Sequence, residues 1–323
     1  DGSLVLVENN KWWSTKPATP RIVVYGKGVD VKDTLDSGAV DVVDIGAKSI
    51  SELDLEGYSA ANMPSRGIEQ LVFATTGVFE NVDARRAFAL CVPRQRLFDE
   101  VGHPDYTKES GLGAGVLNSR LVTADSLLYG PVAGGDSARY LVGDIPGAQA
   151  ALATAAVNAP TVRIGYAGPD ERRAQTVRLI ADSCKQAGIT VEDASSPGFT
   201  PAALRDGQVD AVLGGTGAVS GPAGSALNPP ALGALLTGSG TNYGGFTNPR
   251  FEEIADQLLT DGSPTAQLNL STEGENLLWS EMPTLPLFDT PRTIAFADGL
   301  DGGIANPTVS GAGWNMDRWV LNK

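Results

Sequence analysis

The stretch VRIGYAGPDERRAQTVRLIADSCKQAGITVED, residues 162–193, decides the fold class. Val162 to Tyr166 is a strand by composition. Gly168-Pro169-Asp170 turns the chain into a helix, on which Val177, Ile180, Ala181 and Cys184 fall at i, i+3, i+4 and i+7 along one apolar face. Gly188 stops the helix and Thr190 to Glu192 returns as a strand. Strand, covering helix and strand in that order predict a partly parallel sheet in an α/β protein.

A second α/β device stands on both sides of this unit. Leu35, Gly38, Val40, Asp41 and Val43 match Leu204, Gly207, Val209, Asp210 and Val212 in spacing. Each set reads as a helix end capped by a left-handed glycine that feeds a core strand. Two copies make a repeated local device rather than a solenoid.

Further upstream, residues 4–7 (LVLV), 21–25 (RIVVY), 40–45 (VDVVDI) and 68–76 (IEQLVFATT) read as strands, and Lys32 to Ser37 as a short helix. Asp83 is placed to cap a helix with a buried stripe of Ala84, Ala87, Phe88 and Cys91. Pro93 breaks it, and Gln95 to Val101 resumes. Residues 102–144 are the least structured part. Downstream, residues 213–247 are nearly all small and read as a long loop, of the kind that often carries function. Pro249 opens a helix to about Leu259, another covers Ala266 to Glu281, and Leu285–Phe288 and Thr293–Phe296 are strands.

Composition excludes several function classes. Hydrophobic residues at 42% over 323 positions supply a sizeable core. With 24 Lys and Arg against 38 Asp and Glu, the net charge of −14 disfavours nucleic acid and anionic bilayers as partners and favours solubility. No run of about 18 apolar residues exists to span a membrane. A single histidine, His103, in a polar loop, and no CxxC or HExxH spacing, disfavour a metal site or a catalytic base. No Ser sits in a GxSxG elbow, and Glu252 and Glu253 are adjacent on a helix and do not share a face. Gly26-Lys27-Gly28 and Gly111, Gly113 and Gly115 lack the strand–loop–helix context of a phosphate cradle and read as turns. The chain is expected to be no enzyme and to need no cofactor.

Cys91 and Cys184 each lie on a buried helical stripe. If the two helices cover one sheet face, a disulfide closes a loop of nearly a hundred residues and contributes about 4 kcal/mol. Two buried thiols are the other reading. Trp12, Trp13, Trp314 and Trp319 read first as core or hinge packing, and second as aromatic ligand walls.

Several segments, in order, resemble the family 5 solute-binding proteins of ABC importers, the peptide and nickel type. LVLVENNKWW (4–13) is similar to that family's hinge segment, and LDSGAVDVV (35–43) to its L-x-x-G-x-x-D step. VFATTGVFENVDARRAFALCVPRQRLF (72–98) resembles its strand, P-F-x-D-x-R-x-R-x-A turn and helix, with Val78 in place of the proline. YGGFTNPRFEEIADQLL (243–259), SEMPTLPLFDTPRTIAF (280–296) and GWNMDRWVL (313–321) match later motifs. The resemblance implies a type II periplasmic-binding-protein-like α/β lobe, with mixed sheets covered by helices. It implies that residues 1–16 are a hinge from a first lobe lying outside this sequence, that residues 17–284 are the second lobe, and that residues 285–323 return to the first.

By the same resemblance the ligand lies along Phe73, Ala74, Thr75 and Thr76, with Asn242, Tyr243, Gly244 and Phe246 contributing from the loop. One departure is plain. The family's strand runs into G-W-x-A-D, whose Asp pairs with a peptide's amino terminus, whereas here it runs into Gly214, Gly215, Thr216, Gly217 and Ala218. Thr216 takes the place of the lost clamp, and ordinary peptide capture is disfavoured because a buried ammonium needs a partner. The implied ligand is peptide-like, a sugar or a glycolipid, and the implied partner a membrane permease. Similarity to actinobacterial lipoproteins implies an extracytoplasmic chain held to the cell envelope by a lipid-modified amino-terminal segment. It also implies an alternative, a non-transport lipoprotein that regulates phosphatidylinositol mannoside and lipoarabinomannan synthesis through a membrane-bound enzyme.

Overall fold

The computed structural model describes residues 3–26, 31–46, 55–64, 67–102, 115–216, 227–289, 291–306 and 310–322. The chain divides into two units, residues 66–290 and residues 1–65 with 291–323. His103, Lys27 and Gly28, Gly111 and Gly113, and Gly217 and Ala218 lie outside the described residues.

In the smaller unit β1 (Leu4–Val7) pairs antiparallel with β2 (Arg21–Val24). Helix α1 (Val31–Asp36) leads through Gly38 into β3 (Val42–Gly46). β3 and β4 (Tyr58–Pro64) flank β10 (Pro291–Ala297), both antiparallel to it. Asp44 on β3 pairs with Arg292 on β10 and accepts from the Ala312 N–H at 2.8 Å, which ties down the 3-10 turn Gly311–Arg318. Trp319 packs against Phe296, but Trp12, Trp13 and Trp314 keep about half or more of their surface exposed, so packing accounts for one of the four tryptophans.

The larger unit carries a five-stranded mixed sheet in the order β7-β6-β8-β5-β9. β6 (Thr161–Gly165) is parallel to β7 (Thr190–Asp193) and to β8 (Ala211–Thr216). β5 (Ile68–Phe73) is antiparallel to β8 and to β9 (Thr284–Phe288). Alternation along the strands sends Leu71, Phe73, Ala211 and Leu213 into one core and Val72 and Val212 into another on the opposite face. The first core is roofed by α2 (Val82–Cys91), α3 (Arg94–Val101), α4 (Ile145–Thr154) and α5 (Glu171–Cys184). A further cluster packs Phe251, Ile254 and Leu258 of α6 (Pro249–Thr260) against Leu278 of α7 (Pro264–Glu281).

The βαβ reading of residues 162–193 holds as β6-α5-β7. Asp170 caps α5 by accepting from the Arg173 N–H at 3.0 Å. Cys91 on α2 and Cys184 on α5 form a disulfide, with Cα atoms 4.9 Å apart, because both helices lie on the same sheet face. The repeated device is also present. Gly38 and Gly207 adopt φ of +64° and +69°, Leu35 and Leu204 are buried, and the carbonyls of Asp41 and Asp210 accept from the N–H groups of Ala297 on β10 and of Ala74 just past the end of the antiparallel neighbour of β8.

In the smaller unit β3 and β4 hydrogen-bond to β10, whereas β9 joins the larger sheet beside β5. Three readings are corrected. β5 stops at Phe73. The Ala74 N–H still reaches Asp210, but the Thr75 N–H turns to the Gly244 carbonyl, off the ladder. The α2 cap is Asn81, whose side chain accepts from Asp83 N–H; Asp83 lies within the first turn. The stretch 213–247 is not all loop: β8 runs to Thr216 and Pro229–Gly233 forms a helical turn capped by Asn228.

Candidate functional site

β6 sends its connection through α5 to β7 on one side, and the chain then crosses back to β8 on the other. The junction between β6 and β8 is therefore the topological switch point, and the carboxyl ends of its strands are where open α/β sheets bind ligands. β8 pairs with β5 over six residues, from Ala211 to Thr216, but with β6 only at Ala211 and Val212. Past Gly165 the β6 chain stays with the β7 side, where Ser196 bonds Tyr166 and Gly168 before α5 begins. Among the described residues, the stretch of β8 from Leu213 to Thr216 has no strand on its β6 side. Gly214 and Gly215 in that stretch have no side chains to screen the backbone, so an extended group can approach it closely.

Charge at this end of the sheet comes from β5 and the start of α5. Glu69, opposite Gly215 on the ladder, is buried. Its carboxylate accepts from Arg173 Nε at 2.9 Å and lies 3.4 Å from Arg172 Nη2. Burial by itself lowers the Arg173 pKa, but the Glu69 charge and its hydrogen bond outweigh that and raise it. Cations in the first turn of a helix oppose the helix dipole, and Asp170 and Glu69 offset that cost here. At the adjoining strand ends, Tyr166 donates to Asp193 at 2.6 Å and Gly168 N–H to Ser196 at 3.0 Å, which laces the two turns together.

The residues expected to bind ligand fall into two groups. Thr75 joins Gly244 through its N–H at 2.9 Å and its hydroxyl at 2.9 Å, so 73–76 and 242–246 do meet. Asn242 spends its side chain within its own loop, on Leu236, Phe246 carbonyl and Phe246 N–H. Gly244 is packed against the Phe73 carbonyl, where a Cβ would come within 2.4 Å. Phe73 and Phe246 are core residues, packed in tilted or edge-on contact with Phe79 and Phe88 and with Phe251 respectively, and Ala74 is buried beside Leu204. Thr75, Thr76 and Tyr243 keep exposed surface. Thr216 is not brought to this group. It pairs with Ile68, five residues along the ladder from the Phe73–Ala211 pair, a separation of about 17 Å.

Glu69, Gln70 and the Arg172-Arg173 pair were not anticipated as site residues. The signal for the first two was two polar residues inside the otherwise apolar strand IEQLVF, and for the third two cations opening a helix.

The sequence profile described as bacterial extracellular solute-binding proteins, family 5 middle, matches residues 1–234. The chain belongs to the family 5 solute-binding proteins. An uncharacterized lipoprotein of Mycobacterium tuberculosis is 39% identical over 323 residues, covering 99% of this chain and 56% of that protein. The chain thus spans about half the length of the curated relatives it matches. Among solved structures, the periplasmic EDTA-binding protein EppA superposes with a TM-score of 0.81 at 19% identity, covering 99% of this chain and 62% of that one. The oligopeptide-binding protein AppA of Bacillus subtilis, in complex with a nonapeptide, gives 0.76 at 13% identity, with 99% and 64% covered. At these identities the structures establish the type II binding-protein fold of family 5, with its mixed sheets and covering helices.

Proposed function

We propose that this chain is the ligand-binding portion of an extracytoplasmic, lipid-anchored solute-binding protein that hands a small solute to a membrane permease. The observation that carries this reading is the edge of β8 at the switch point, from Leu213 to Thr216, which has two glycines in it and no strand beside it on the β6 side among the described residues. An extended ligand can add to such an edge by main-chain hydrogen bonds. Family membership, lipoprotein relatives and neighbours named for EDTA and oligopeptide binding support a solute in that position.

The ligand is not an ordinary peptide with a free amino terminus. Glu69, which faces Gly215, is already held by two guanidinium groups and offers no unpaired countercharge to an ammonium. The cost of desolvating an ammonium without a partner then weighs against it.

The test is mass spectrometry of small molecules released on denaturing the full-length protein, purified from its own host. A solute at one equivalent per chain is expected. An empty protein overturns the reading.

A further inference from the structure

We infer that Gln70 is a ligand-contacting residue and that it reads an uncharged amide group seated over Gly214; this rests on the solute-binding reading above. Gln70 lies on β5 and pairs across the ladder with Gly214 on β8. Only 4% of it is exposed, and among the described residues its side-chain amide has no hydrogen-bond partner. Buried polar groups are nearly always bonded, so an amide without a partner among the described residues is poised for one from outside the chain.

The space beside it fits such a partner. A Cβ built on Gly214 would meet only a Val212 methyl, at 3.8 Å, whereas one on Gly215 would meet both the Glu69 carboxylate and the Ile68 carbonyl at 3.5 Å. The open volume therefore lies on the Gln70 face of the sheet. Its surroundings on that face are Ile68, Val72 and Val212, which are apolar, and the charged Glu69–Arg173 pair belongs to the opposite face. A charged group in the recess would find no countercharge among the described residues, whereas an amide would find in Gln70 both an acceptor and a donor. The adjoining β8 backbone supplies further donors and acceptors of the same kind.

The chemistry separates this role from a structural one. A buried amide with no partner contributes nothing favourable to folding, so Gln70→Leu should leave thermal stability unchanged or raise it. The same substitution should weaken a ligand that uses the amide by about tenfold or more, because a buried ligand group loses its partner. Gly214→Val fills the recess and should weaken it further.

The experiment uses full-length protein and titrates N-acetyl-trialanine N-methylamide, a capped and uncharged probe, by calorimetry into wild type, Gln70→Leu and Gly214→Val. It also follows the side-chain amide resonance that Gln70→Leu removes. Expected are binding to wild type, the graded losses just given with thermal midpoints held, and movement of that resonance on adding the probe. Equal affinity in wild type and Gln70→Leu, an unmoved resonance, or no binding of the capped probe to wild type overturns the assignment. A natural solute that co-purifies equally with wild type and Gln70→Leu removes the role of Gln70 while leaving the solute-binding reading intact. A full-length protein that carries no solute removes that reading itself.

Discussion

Arg120 and Glu275, 155 residues apart in sequence, pair at 3.1 Å with each side chain 1% exposed. Glu275 also accepts from the Ser119 hydroxyl at 2.8 Å and the Leu121 N–H at 2.7 Å, while Arg120 donates to Thr284 and lies 4.2 Å over the Trp279 ring. The pair fastens the segment around residue 120 to α7 and to the start of β9. Removing one partner leaves a charge buried without compensation. Glu275→Gln and Arg120→Met should each cost about 3–5 kcal/mol, and the double variant less than their sum. Urea unfolding of all three variants checks this.

The Cys91–Cys184 bond closes a loop with a sequence separation of 93 residues. Replacing both cysteines by alanine should lower stability by about 4 kcal/mol. Reduced and oxidised wild type should differ by a similar amount in denaturant, and the native protein should show no thiol to an alkylating reagent under denaturing, non-reducing conditions.

Glycines separate two kinds of constraint. Gly38 and Gly207 have positive φ but nothing within 4 Å of a built Cβ, so alanine there meets backbone strain alone, about 1 kcal/mol. Gly244→Ala instead drives a Cβ against the Phe73 carbonyl at 2.4 Å and should cost about 2–3 kcal/mol, loosening the contact between Thr75 and its loop. Thermal midpoints of the three single variants should fall in that order.

Asp193 gives an acid-side signature. Burial tends to raise its pKa, but hydrogen bonds from Tyr166 and from Ser195 outweigh burial and hold it below the ordinary 3.8. A carboxylate with a depressed folded pKa contributes stability that is present above its unfolded pKa and lost as pH falls through the folded value. Asp193→Asn should therefore be less stable than wild type at pH values above about 4, with the gap narrowing below that. Unfolding free energies at pH 6 and pH 3 test the sign.

Local order was legible in residues 162–193, where the strand, the Asp170 turn, the helical stripe and Gly188 each act within a few residues of one another. The two glycine-capped devices were legible for the same reason. The resemblance to family 5 was legible because its motifs recur in order along the chain. Of the site, the departure at residues 214–216 could be read directly, since it is a matter of which residues stand there.

The sequence by itself therefore determined the α/β class, the βαβ unit at residues 162–193 and the family, because periodicity, capping and turn chemistry are short-range. Only the tertiary structure decided that β10 returns to β3 and β4 while β9 stays beside β5, that Cys91 meets Cys184, and that Thr216 stands about 17 Å along the ladder from Phe73. Strand order and register are set by which apolar faces bury against which helices, and that choice is made between residues far apart in the chain. For the same reason Gln70 and Gly214 become neighbours only when β5 and β8 pair.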